Sequence, residues 1–166
     1  MCFLRLLRRL SSMTRSVLFV CLGNICRSPT AEAVFRGLAE GRGLHIDSAG
    51  TSGWHDGGRS DPRASAEARR RGYDMSAIRS RKITAADFDR FDLIIAMDFE
   101  NLRDLESIRP AGSNARVEMF LPYAPELNLD EVPDPYYEDN FPEVFDMIEA
   151  ASRGLLDDLQ VSTLRK

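Results

Sequence analysis

The chain has 166 residues, enough for one domain with a buried core and too few for several. Hydrophobic residues make up 43% and charged residues 29%, which excludes a disordered tail-like chain and matches an ordinary globular domain. A formal net charge of −4 lacks the basic excess that nucleic-acid binding calls for, so no nucleic-acid partner is expected.

Residues 1–15 open with MCFLRLLRRLSS, three arginines and no acids. Arg5, Arg8 and Arg9 interrupt the apolar run, so no stable membrane insertion is expected. We read 1–15 as a disordered or misassigned extension, with Met13 as a second candidate start. A presequence is the alternative. Residues 16–166 form the expected domain. Val17 to Val20 is a continuous apolar run, as in a strand buried on both faces. Ser28, as N-cap, and Pro29 then open a helix that ends near Gly41 and Gly43.

His45 to Ala49 is the second strand. Asp61-Pro62 starts a helix that stops at Gly72, and Thr84 caps a short one through Phe88. Asp92 to Met97 is a third buried strand, Asn101 to Ile108 a helix, and Val117 to Leu121 a fourth strand. The loop from Pro122 to Pro142 holds five prolines. From Glu143 to Leu159 an amphipathic helix carries Phe145, Ile148, Leu155 and Leu159 on one stripe, with Gly154 as a mild weakness. The basic clusters Arg69 to Arg71 and Arg79, Arg81, Lys82 read as solvated surface. Strands alternating with helices predict an α/β fold of parallel βαβ units, with ligands at the carboxyl ends of the strands.

The loop after the first strand carries the chemistry: Cys21-Leu22-Gly23-Asn24-Ile25-Cys26-Arg27-Ser28. A loop running from a strand end to a helix start turns its N–H groups inward as an anion nest, reinforced by the helix dipole. Helix N-termini and nearby cations favour thiolate over thiol, and the thiolate is the nucleophilic form. Cys21 is therefore the candidate nucleophile. Arg27 offers a planar fork for two phosphate oxygens. Ser28 can donate its hydroxyl to the Cys21 sulfur. Gly23 permits close backbone approach, and Asn24 tolerates a left-handed turn. Cys26 reads either as packing or as a redox partner that protects Cys21 by disulfide formation. Three cysteines (Cys2, Cys21, Cys26) fit a reducing compartment, so a cytoplasmic location is expected. His45 and His55 stand apart from any metal-ligand spacing, and neither metal nor cofactor is expected.

The segment CLGNICRSPTAE closely resembles the signature of the low-molecular-weight protein tyrosine phosphatases. The likeness continues in Ser48-Ala49-Gly50-Thr51, Trp54-His55, Asp61-Pro62-Arg63-Ala64, Met97-Asp98, Asn101 to Leu105 and Val132 to Tyr137, covering roughly Val17 to Leu159. It implies a single-domain, four-stranded parallel sheet flanked by helices on both faces, with the phosphate-binding loop after the first strand. It also implies a phosphocysteine on Cys21, clamped by Arg27, with Asp134 as general acid and then base. Leu22, Gly23, Asn24, Ile25, Cys26 and Ser28 complete the phosphate loop. Trp54, Tyr136 and Tyr137 would grip the aryl ring. Without the resemblance, Asp134-Pro135 reads as a turn. Many relatives have a histidine where this chain has Ile78, which predicts looser support of Ser28 and a modest loss of thiolate stabilisation.

The function implied is hydrolysis of phosphotyrosine in proteins, by a monomer or weak dimer whose partners are tyrosine-phosphorylated proteins. Three other readings use the same scaffold. An arsenate reductase would need further cysteines, and none follows Cys26. A protein-arginine phosphatase tends to have threonine where this chain has Ile25 and to lack the tyrosine pair. A catalytically inactive phosphotyrosine-binding module would leave para-nitrophenyl phosphate intact.

Overall fold

The computed structural model describes residues 13–164, with side chains as far as residue 160. The expectations for residues 1–12, Cys2 included, lie outside the described residues. Arg15, placed above in the extension, is already held by the fold: its N–H donates to Asp92 (2.7 Å) and its carbonyl accepts from His45 (2.8 Å).

Four parallel strands form one sheet: β1 (Ser16–Cys21), β2 (His45–Gly50), β3 (Leu93–Ala96) and β4 (Arg116–Met119), in the order β2-β1-β3-β4. The buried run of β1 takes the centre because both its faces are apolar. Val17, Phe19 and Cys21 face one layer, and Leu18 and Val20 face the other. The first layer contains α1 (Arg27–Leu38), α2 (Pro62–Arg70) and the long α6 (Phe141–Leu164), which packs across α1 and α2. Phe19 anchors it, 5.6 Å from the Phe35 ring and 5.2 Å from that of Phe120. Opposite it lie α3 (Asp87–Arg90) and α4 (Phe99–Ile108), with Phe88, Phe91 and Leu105 buried on β1 and β3. Because β1 connects to β2 on one side and the chain then crosses to β3 on the other, the order reverses at the end of β1. That places a crevice directly beyond Cys21.

Several local expectations change. Helix α1 begins at Arg27 with Cys26 as N-cap and no side-chain capping bond, so Ser28 lies inside the helix with its hydroxyl turned elsewhere. Thr84 does not cap. The Asp87 carboxylate instead accepts from the Thr84 N–H (2.8 Å). The fourth strand ends at Met119, and Leu121–Tyr123 is a turn of 3₁₀ helix. Within the proline-rich stretch, Pro125–Leu127 is a second 3₁₀ turn and Pro135–Glu138 a short helix, α5. Asp61 caps α2 as expected, accepting from the Arg63 N–H, with Pro62 in the first turn.

Three of the arginines read as solvated are paired, Arg70 with Glu67 on α2. Arg71 bonds Glu67, Asp146, Glu149 and the Pro142 carbonyl, tying α2 to α6. Arg81 spans Asp47 and Asp87. Gly154 is no weakness either. A Cβ there would stand 1.8 Å from the Tyr123 carbonyl oxygen, so only glycine lets α6 lie this close to the 121–123 turn.

Candidate active site

Five residues, Leu22 to Cys26, join β1 to α1. The loop turns at Asn24, whose φ of 54° is left-handed, a region asparagine tolerates better than most residues. Asn24 is 1% exposed, so its polar atoms need partners inside the protein. They have them. Its Nδ2 donates to Ser28 Oγ (2.9 Å) and Ser48 Oγ (3.0 Å), its Oδ1 accepts from the Arg81 N–H (3.0 Å), and its carbonyl accepts from Ser80 Oγ (2.6 Å). The end of β2 lies against the same loop. Thr51 N–H donates to the Cys21 carbonyl (2.9 Å), and Ser52 N–H to that of Leu22 (3.0 Å). A Cβ on Gly50 would stand 2.8 Å from the Leu22 oxygen, so a glycine is needed for this approach.

The held loop leaves several of its backbone donors without a protein acceptor: none among the described residues takes the amide N–H of Gly23, Asn24, Ile25 or Cys26. Cys21 Sγ lies 3.0 Å from Ser28 Oγ. Since Asn24 already donates to that oxygen, the serine proton is available to the sulfur or to the Ala49 carbonyl at 3.3 Å. Ile78 is buried and gives Ser28 no hydrogen bond, yet its segment still reaches the loop through Ser80 and Arg81, which fix Asn24 and thereby Ser28.

Arg27 is 3% exposed. Its Nη1 donates to Asp98 Oδ2 (2.7 Å) and to the Val132 carbonyl (3.0 Å), while Nη2 lies 3.6 Å from Asp134 Oδ2. Burial works against its charge, but Cys21, Asp98 and Asp134 outweigh burial and hold the guanidinium above its ordinary value. Asp134 caps α5 by accepting from the Tyr136 N–H (3.1 Å). Its segment is pinned beside β3, where the Val132 N–H donates to the Met97 carbonyl (2.8 Å). Cys26 is buried, and desolvation, with the Asp61 charge next, pushes its thiol up, so it stays protonated. Behind the loop, Ser48 Oγ donates to Glu32 (2.9 Å). Burial first, and Asp47 with it, push the Glu32 carboxyl up to about 7 against the opposing pull of Ser48 and Arg36.

These groups meet at one cavity of about 170 Å³. Cys21, Leu22, Gly23, Ile25, Cys26 and Arg27 form its floor, with Asp134, Trp54, His55, Tyr136 and Tyr137 at its walls. Asn24 and Ser28 stand behind the floor. Trp54 and Tyr137 are 77% and 84% exposed, as rim residues must be. Sequence reasoning assigned no role to Asp98, Ser48, Glu32, Ser80 or Arg81. Three of them lie in segments that resemble the family or flank the loop, but nothing local shows that they touch it.

Residues 16–165 match the family profile described as low molecular weight phosphotyrosine protein phosphatase. The chain belongs to that family. Among its phosphatase relatives, the low molecular weight protein-tyrosine-phosphatase YfkJ of Bacillus subtilis is 44% identical over 149 residues, covering 87% of this chain and 96% of that protein. A low molecular weight protein-tyrosine-phosphatase of Streptomyces coelicolor is 47% identical over 154 residues, covering 87% and 93%. The crystal structure of YfkJ superposes with a TM-score of 0.83 at 42% identity, covering 90% of this chain and 97% of that one. A Drosophila arginine phosphatase shares the fold at a TM-score of 0.80 and 30% identity, covering 86% and 96%. The four-stranded parallel sheet and single domain expected from the family signature are therefore those of the low molecular weight phosphatases.

Proposed function

We propose that this family member hydrolyses phosphotyrosine in proteins through a phosphocysteine on Cys21. One observation carries the reading. A sulfur bonded to a serine hydroxyl, a buried arginine and a carboxylate from 113 positions away (134 − 21) converge on one aromatic-rimmed cavity. The unpaired loop amides and Arg27 Nη2 suit the equatorial oxygens of a phosphoryl group, whose loose transition state needs charge stabilisation and positioning above all.

In the first step the Cys21 sulfur bonds to phosphorus as the P–O bond to the tyrosine ring breaks. Asp134 delivers its proton to the departing phenolate oxygen. In the second, Asp134 takes a proton from water as the water oxygen bonds to phosphorus and the P–S bond breaks, releasing phosphate. The Ser28 hydroxyl supports the sulfur charge at both ends of this cycle. Proton transfer of this kind contributes roughly 10² to 10⁴ in rate. Trp54, Tyr136 and Tyr137 give the ring flat partners, and Ile25 on the floor favours an aryl group over a charged guanidinium, which sets tyrosine ahead of arginine as substrate. Tyrosine-phosphorylated proteins are the partners this implies. The low cysteine count supports a cytoplasmic location, and no helix among the described residues is long and apolar enough to cross a membrane.

Kinetics on matched phosphotyrosine and phosphoarginine peptides test the reading. We expect kcat/KM to favour phosphotyrosine by at least about tenfold, roughly the selectivity of one lost apolar contact. A preference for phosphoarginine, or no turnover of either peptide or of para-nitrophenyl phosphate, would overturn it.

A further inference from the structure

The acid segment is fastened on only one side by groups the reaction uses. Before Asp134, the buried Val132 bonds Met97 and Arg27. After it Pro135 is still buried, but residues 136–139 are exposed, with Tyr136 44% exposed and Asp139 at a left-handed φ of 55°. Among the described residues, the hydrogen bonds that reach residues 135–139 from outside the segment come from one side chain, Arg63. Its Nη2 donates to the Tyr136 carbonyl (3.3 Å) and its Nη1 to Asp139 (3.3 Å). Its guanidinium carbon stands 5.5 Å from the Tyr136 ring centre and 4.8 Å from that of Phe141.

The other side of Arg63 leads to the nucleophile. Its Nε and Nη2 grip both oxygens of Asp61 (3.2 and 3.0 Å), and the Asp61 N–H donates to the Ile25 carbonyl in the phosphate loop (2.8 Å). Asp61 is only 7% exposed, so this grip is well defined. The exposed contact with Asp139 adds little by comparison. A planar fork that binds a carboxylate in two places while covering two rings is specific to arginine.

We propose that Arg63 is a positioning residue that straps the acid segment to the phosphate loop and so sets Asp134 over Cys21. The inference rests on the reading of Asp134 as the acid. Misplacing such a group by about 1 Å can cost on the order of 10²-fold in rate, so a strap on the exposed half of the segment has catalytic consequences far beyond its own contact strength.

The test is a double-mutant cycle in kcat/KM with phenyl phosphate, a poor leaving group, and para-nitrophenyl phosphate, a good one. Arg63→Ala is expected to lose about tenfold on phenyl phosphate and less than about threefold on para-nitrophenyl phosphate. In an Asp134→Ala background the same change is expected to cost nothing further on phenyl phosphate. Equal losses on both substrates, or an undiminished loss when Asp134 is absent, overturn the strap. A merely structural role would give those outcomes together with a lowered thermal midpoint. If Arg63→Ala does not fold, Arg63→Lys, which keeps the charge but loses the fork, carries the same cycle with the same expected sign. The two readings fail separately. If Asp134→Ala alone shows no leaving-group dependence, the acid assignment falls and the strap with it. If that dependence stands and the cycle is additive, only the strap falls.

Discussion

At the scale of single residues, the Cys21 sulfur and the Ser28 hydroxyl 3.0 Å away make the sharpest claims. Cys21→Ser is expected to abolish turnover while inorganic phosphate still binds, since loop amides and Arg27 remain; measurable turnover near that of the parent would refute the nucleophile. Ser28→Ala removes the hydroxyl proposed to support the sulfur as it leaves phosphorus, a hydrogen bond worth roughly 1.5–3 kcal/mol, and should lower kcat by about 10- to 100-fold with KM little changed. Glu32 gives a pH signature. Its carboxyl is pushed up to about 7 in the fold, first by burial, so the native state holds a proton that the unfolded chain gives up at ordinary carboxylate pH. That contribution is full at acid pH and is lost as pH rises through about 7. Glu32→Gln should therefore gain stability relative to the parent between pH 5 and pH 8, by on the order of 1–3 kcal/mol, read as a widening gap in denaturation midpoints. The nucleophile loop was legible because its residues are contiguous and lie between a strand end and a helix start. Asp98 was not, since the chain has 26 carboxylates and nothing local marks the one that folds beside Arg27.

Elements fail or hold through their contacts. Swapping a helical glycine for alanine ordinarily gains about 1 kcal/mol of helix propensity. In α6, Gly154→Ala should do the opposite. The added methyl would overlap the Tyr123 carbonyl, and overpacking of this kind costs roughly 1–3 kcal/mol or more. Urea denaturation should show a net loss, and a net gain would mean that the helix and the 121–123 turn separate easily. Helix starts with a local signal, such as Asp61-Pro62, could be read directly from sequence. The start of α1 could not, because the Ser28 hydroxyl that looked like a cap serves the sulfur instead. The acid segment was opaque for a related reason. Asp134-Pro135 is a turn signal anywhere, and nothing local shows that distant groups, Met97 and Arg27 on Val132 among them, hold it at the site.

For the whole molecule, anion binding and folding are linked. The site draws on β1, α1 and the 132–137 segment, so an anion that fits it binds the folded chain and not the unfolded one. Inorganic phosphate at 100 times its dissociation constant should add about 2.7 kcal/mol of stability, seen as a raised thermal midpoint. Arg27→Ala should erase the rise. The βαβ alternation gave away the parallel sheet, but not its order. Which strands flank β1 depends on how both its faces pack, against α1 and α6 on one side and α4 on the other, and that is not visible in the local pattern.

That order has a bearing on synthesis. Of the four strands, β1 precedes the others along the chain and becomes an inner strand, while its neighbours on one side, β3 and β4, and α6 are made later. A nascent chain released as far as residue 90 would carry the sulfur and its arginine with neither Asp98 nor Asp134 attached, and with the apolar side of α1 uncovered. Activity and a sealed interior thus reach the newborn protein together, once the 132–137 segment and α6 have emerged.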